Sequence, residues 1–102
     1  MAYRVVFAPE AVANLEAIYT YVAEKAGADI ALRFTDAIVD YCESFTTFPR
    51  RGTLRNDLRP GLRVVGFKKR ATIAFAVLNN AITIVGVFYG GRDVEGAFAE
   101  DG

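Results

Sequence analysis

The chain has no histidine, no tryptophan, one cysteine and three prolines in 102 residues. Without histidine, the commonest general base and metal ligand is missing. One cysteine, Cys42, cannot close an internal disulfide or supply a zinc or iron–sulfur site, and its lone thiol agrees with a reducing compartment. No apolar run approaches the ~20 residues a membrane helix needs. The opening MAYRVVFAPEA lacks the charged, apolar and cleavage regions of a signal peptide, so a cytoplasmic, non-membrane protein is expected. No glycine cluster fits a phosphate loop, because Gly90-Gly91 is followed by neither a long helix nor a Gly-Lys-Ser/Thr. Linkers, repeats and low-complexity segments are lacking too, and 53% hydrophobic residues argue for one folded domain over 1–102. No cofactor is expected.

Acidic groups are also scarce in one region. Residues 1–48 hold three basic and seven acidic side chains, net −4, whereas residues 49–92 hold nine basic ones against Asp57 alone, net +8. The formal charge of zero hides this partition. Its densest part is Phe48–Arg63, FPRRGTLRNDLRPGLR, with Arg50, Arg51, Arg55, Arg59 and Arg63 among two prolines and two glycines. Such a run cannot be an uninterrupted helix or a central strand. It reads as an ordered loop that carries charge out of the domain. The planar guanidinium fork suits phosphate and carboxylate, so an anionic partner is one reading and a solvated basic face the other.

Elsewhere the pattern is regular. Tyr3–Phe7 is β-branched and aromatic, a first strand. Pro9 and Glu10 open a helix whose apolar face is Val12, Leu15, Ile18, Tyr19 and Val22, ending near Gly27 as a left-handed cap. Asp29 is expected to cap a second helix with the stripe Phe34, Ile38, Tyr41, Cys42 and Phe45, which stops before Phe48-Pro49. Three apolar runs follow: Leu62–Phe67, Thr72–Leu78 and Ala81–Tyr89, with Asn79-Asn80 as a tight turn. The last two are apolar on both faces, so both faces should be covered, one by the helical hairpin and the other by the tail or a partner. Val94–Ala99 is a short terminal helix. The fold class is α+β, β-α-α-β-β-β with a short C-terminal helix.

The residues left for chemistry are Arg63, Lys68, Lys69, Arg70, Tyr89 and Arg92, and the candidates for binding a partner or target are Arg55, Arg59, Leu62, Arg63, Lys68, Arg70, Tyr89 and Arg92. Arginine and lysine can stabilise a phosphate, and tyrosine can shuttle a proton, but an unperturbed pKa near 10 suits Tyr89 poorly for that. No catalytic residue is assigned and no metal is expected.

Three segments in order resemble the ParE toxins of bacterial toxin–antitoxin pairs: YRVVFAPEAVANLEAIYTYVAE, FPRRGTLRNDLRPGLR and GVFYGGRDVEGAF. The resemblance spans nearly the whole chain and extends, more distantly, to the RelE branch of the superfamily. It implies a helical hairpin on an antiparallel sheet, a cognate ParD-type antitoxin, and inhibition of DNA gyrase without catalysis by the toxin. DNA is then touched only indirectly, through the antitoxin. The RelE branch instead implies ribosome-dependent mRNA cleavage by a basic cluster and a C-terminal tyrosine. Here the matching segment offers Phe98, which transfers no proton. A degenerate toxin kept as a binding module is a third reading.

Overall fold

The computed structural model describes residues 2–90 and 94–99. Strand β1 (Arg4–Phe7) leads into helix α1 (Pro9–Ala26) and helix α2 (Ala28–Glu43), which ends in a 3-10 turn at Ser44–Thr46. Strands β2 (Thr53–Leu54), β3 (Leu62–Phe67), β4 (Ala71–Leu78) and β5 (Ala81–Tyr89) follow, then helix α3 (Val94–Ala99). The strands form one sheet in the order β1-β5-β4-β3-β2. β2, β3, β4 and β5 pair antiparallel, and β1 joins β5 in parallel. That parallel pairing follows from the connection, since the helical hairpin crosses over between β1 and the rest of the sheet. The α+β class and the expected order of helices and main strands are present, with two additions: a two-residue edge strand, β2, inside the segment read as a loop, and the parallel seat of β1.

The α1–α2 junction turns on Gly27. Its N–H donates to the Ala23 carbonyl at 2.9 Å, and its carbonyl accepts from the Ala31 N–H at 3.1 Å, so one residue closes α1 and opens α2. Its backbone (φ +100°, ψ 158°) is not the left-handed helical cap anticipated but an extended conformation that glycine alone adopts without strain. Asp29 consequently lies inside the first turn of α2 and caps nothing, leaving a favourable charge at the positive helix end.

Both helices pack on one face of the sheet. Ala11, Ile18 and Val22 of α1 and Ala31, Ile38 and Cys42 of α2 meet Phe67, Ala71, Ile73, Phe75, Ile82, Ile84 and Val87. Phe45, at 0% exposure, stacks on Phe75 at 4.7 Å between ring centroids. Leu15, Phe34 and Tyr41 belong to the same layer but are only half-buried. Along β5 the inward phase slips. Ala74 pairs with Gly86 and Phe75 with Ile84, so Val85 is an extra residue, a β-bulge. Ile82 and Ile84 face the helices before it, and Val87 and Tyr89 face them after it. Asn14 of α1 meets the bulge, its Oδ1 accepting from the Val87 N–H at 3.0 Å.

The second sheet face carries a smaller cluster of Leu62, Ala74 and Phe98, with Leu58, Val64, Val85, Phe88 and Val94 around it. Helix α3 and the arginine-rich loop cover this half. Among the described residues, no helix or loop covers the other half, towards the β4–β5 turn. There the register brings Val6, Thr83 and Ala76 into one row and Arg4, Ala81 and Leu78 into the next. Val6 is 42% and Leu78 73% exposed.

Cys42 is fully buried. Burial, and secondarily the negative charge of Glu43, push its thiol from an ordinary 9.0 up to about 12. The raised value favours the neutral thiol in the fold. Its stabilising contribution is therefore complete below about 9 and lost as the pH climbs towards about 12. We expect no reaction of native Cys42 with thiol reagents at mildly alkaline pH and full reaction in denaturant; rapid native labelling would contradict its burial. Urea titration should show Phe75→Ala losing about 3–5 kcal/mol and Gly27→Ala about 1–3 kcal/mol. An unchanged Gly27→Ala midpoint would mean that the junction tolerates a side chain.

Candidate functional site

The arginine-rich segment is a wrapped loop with a short strand in its middle, and most of its guanidinium groups turn inward. Arg51 returns to the end of α2. Its Nη2 donates to the Ser44 carbonyl at 3.2 Å and its Nε to the Phe48 carbonyl at 3.1 Å. The group lies 4.7 Å from the Phe45 ring centroid and 5.6 Å from that of Tyr41. A cation thus serves the carbonyl-rich helix end and covers two core rings. Arg63 of β3 donates through Nε to the Arg51 carbonyl and through Nη2 to the Arg50 carbonyl, both at 2.9 Å. Next in the chain, Gly52 has φ +75°, and a Cβ there would collide with the Val64 carbonyl. This close approach lets Thr53 and Leu54 pair with Val64 and Arg63 as the edge of the sheet.

Beyond the strand, Arg55 organises the rest. Its Nε and Nη2 grip Asp57 at 3.0 and 2.8 Å, and Nη2 also reaches Glu95 of α3 at 3.0 Å. Hydrogen bonding to Asp57 and then Glu95 pushes the guanidinium pKa further up, and the bond from Arg55 pulls the Asp57 carboxyl down. The only acid of the loop is therefore held ionised and has no proton to give at neutral pH. Both carboxylates are largely exposed, so the pairing fixes geometry more than it adds stability. Asn56 Oδ1 accepts from the Gly61 N–H at 2.8 Å, closing the turn. Arg59 lies 4.8 Å from the Phe98 ring centroid.

These contacts correct the picture of a loop of outward-pointing charge. Arg51, Arg55, Arg59 and Arg63 hold the loop and α3 against the domain, while Arg50 is exposed. Leu62, expected at a partner surface, is 1% exposed and is core, because β3 turns it onto the second face beneath Phe98. Lys68 and Arg70 lie at the far end of β3, about 17 Å of strand from Arg63, so the basic residues form two groups rather than one face. Tyr89 ends β5, half-buried, with its ring 5.4 Å from Phe34 and 5.8 Å from Tyr21. With Asn14, Ile18 and Tyr21 it lines an open cleft of about 360 Å³ between α1 and β5. Arg92 lies outside the described residues.

Sequence reasoning missed this cleft, whereas the exposed apolar surface at Val6 and Leu78 agrees with the expectation that the second sheet face is left for the tail or a partner to cover. The bulge at Val85 beside the cleft leaves no trace in a continuous apolar run. Among the described residues, no group of three His, Cys, Asp or Glu side chains could hold a metal. No described helix is long and apolar enough to cross a membrane.

The model of the ParE toxin of type II toxin–antitoxin systems, parDE, matches residues 5–94. The chain belongs to the ParE toxin family. The ParE fold is also evident in solved structures. A chain of the chromosomal ParDE TA system from P. aeruginosa superposes with a TM-score of 0.75 at 23% identity, over 85% of this chain and 95% of that one. A free-state mutant of E. coli toxin RelE gives 0.60 at 15% identity, over 99% and 97%. At these identities the likeness is one of fold. No curated protein sequence matches.

We expect Arg63→Ala to release residues 50–54 by leaving two loop carbonyls without their donor, at a cost of about 1–3 kcal/mol. Faster amide exchange at Thr53 and Leu54 in the variant is the check; unchanged exchange would show that β2 pairing holds the loop alone.

Proposed function

We propose that this chain is neutralised by a ParD-type antitoxin and that, when free, it inhibits DNA gyrase by binding it rather than by catalysis. The observation that carries this reading is the family match over residues 5–94. The structural likeness to a ParDE system supports the antitoxin. The two neighbouring rows with Val6 and Leu78 exposed, Ala76 and Thr83 half-buried and Arg4 at the rim support the mode of neutralisation. An extended or helical segment, apolar on one side and acidic on the other, would cover this half of the sheet much as α3 covers the other half. Such a complex should bury about 1,500 Å² or more, with apolar anchors supplying the affinity and rim charges the association rate. The segment can be disordered alone and fold as it docks.

The non-catalytic reading is supported by what the candidate groups are already doing. Asp57 is held ionised by Arg55, and the C-terminal segment presents Phe98, a buried ring, rather than a tyrosine. Tyr89 is packed between Phe34 and Tyr21.

Purified chain should block supercoiling by gyrase and trap cleaved DNA, and equimolar antitoxin should reverse both. No effect at a stoichiometric excess would remove the gyrase reading. Transcript cleavage on induction, abolished by Tyr89→Phe, would point to the endonuclease alternative, and harmless overexpression to a degenerate toxin.

A further inference from the structure

The turn between β3 and β4 contains Lys68, Lys69 and Arg70. The Arg70 N–H donates to the Phe67 carbonyl at 3.0 Å, so Lys68 and Lys69 are the central residues of a β-turn. Their φ angles are +53° and +57°. Positive φ at both positions is the type I′ geometry that matches the strand twist, and it selects Asn-Gly. Lysine gains nothing in that backbone and suffers the left-handed steric penalty, here twice in succession. Strain of this kind persists where the side chains are needed.

All three side chains are exposed. Among the described residues none is within salt-bridge distance of a carboxylate, and the contact recorded for them is that of Lys68 Nζ, 5.4 Å from the ring centroid of its neighbour Phe67. Four of the five arginines of the neighbouring loop are engaged by carbonyls, rings or acids; among the described residues these three cations have no carbonyl or acid partner.

We propose that the Lys68–Lys69–Arg70 turn is a contact for the sugar–phosphate backbone of duplex DNA. A protein partner would need apolar anchors at the centre of the contact. The flanking Phe67 and Ala71 are 8% and 5% exposed and cannot supply them. Phosphates need only charge, and a narrow antiparallel ribbon is of a size that a DNA groove admits. A single strand would stack its bases on open aromatic faces, whereas Phe67, the ring next to the turn, is 8% exposed and packed on Phe34. The contact is direct, in addition to any made through an antitoxin. It does not depend on gyrase, because it is measured with DNA alone.

The test is fluorescence anisotropy of a labelled short duplex, and of one of its single strands, titrated with the full chain over a salt series. The duplex should bind more tightly than the single strand, with log K falling against log salt at a slope of about −2.7 for three phosphates. The double variant Lys68→Asn/Lys69→Gly should raise the thermal midpoint by relieving the turn. It should also weaken duplex binding about tenfold at low salt and cut the slope to about −0.9. Arg50→Gln removes an exposed cation elsewhere and should change neither. The proposal is overturned by wild-type chain without salt-dependent duplex binding, by a single-strand preference, by a double variant that binds like wild type, or by an equal loss in Arg50→Gln.

Discussion

The constraint on which this structure depends is a central pair of strands, β4 and β5, that is apolar on both sides. One side is closed by a complete helical layer. Ile73, Phe75, Ile82 and Ile84 have no solvent exposure beneath α1 and α2. Among the described residues the other side is closed only in part, by a six-residue helix and a loop. Burying apolar area is the main favourable term in folding a domain of this size, and leaving it open is costly. A chain that leaves half of one face uncovered therefore keeps a standing affinity for something that covers it. For a protein of the ParE toxin family, an antitoxin segment fits that description.

The arginines take on a different meaning in this frame. A guanidinium group can bind an external anion or tie together a backbone without regular structure, and in residues 48–63 the second use dominates. Arg51 and Arg63 act on main-chain carbonyls, Arg55 links the loop to α3, and Arg59 lies over Phe98, so the loop is the fastening of the partial lid. A second group of cations, Lys68, Lys69 and Arg70, is exposed at the β3–β4 turn, where Lys68 and Lys69 hold positive φ. The cations that the sequence presents as one group are thus two, one holding the loop and the other exposed and, on the proposal above, open to DNA.

Much of the fold was legible because local chemistry and periodicity agreed. Pro9, Gly27 and Phe48-Pro49 punctuate the helices where expected, and the stripe from Phe34 to Phe45 packs inward. Other features depend on partners remote in sequence. The parallel seat of β1 beside β5 is set by the crossover, and Asp29 lost its capping role because Gly27 serves both helices. The bulge at Val85 was hidden because every residue around it but Gly86 is apolar or threonine, so no alternation records the slip. The candidate site was legible only as composition. Five arginines announce a special loop, but whether each points in or out depends on carbonyls at positions 44, 48, 50 and 51 and acids at 57 and 95. Leu62 was misplaced for the same reason, since its cover, Phe98, is 36 residues away.

The most direct test of the central claim is an amide- and methyl-resolved NMR footprint of the antitoxin on this chain. The account predicts that protection and shift changes centre on Val6, Ala76, Leu78 and Thr83, with the outer faces of α1 and α2 little affected. A footprint confined to those helices, leaving the open half of the sheet exposed in the complex, would contradict it.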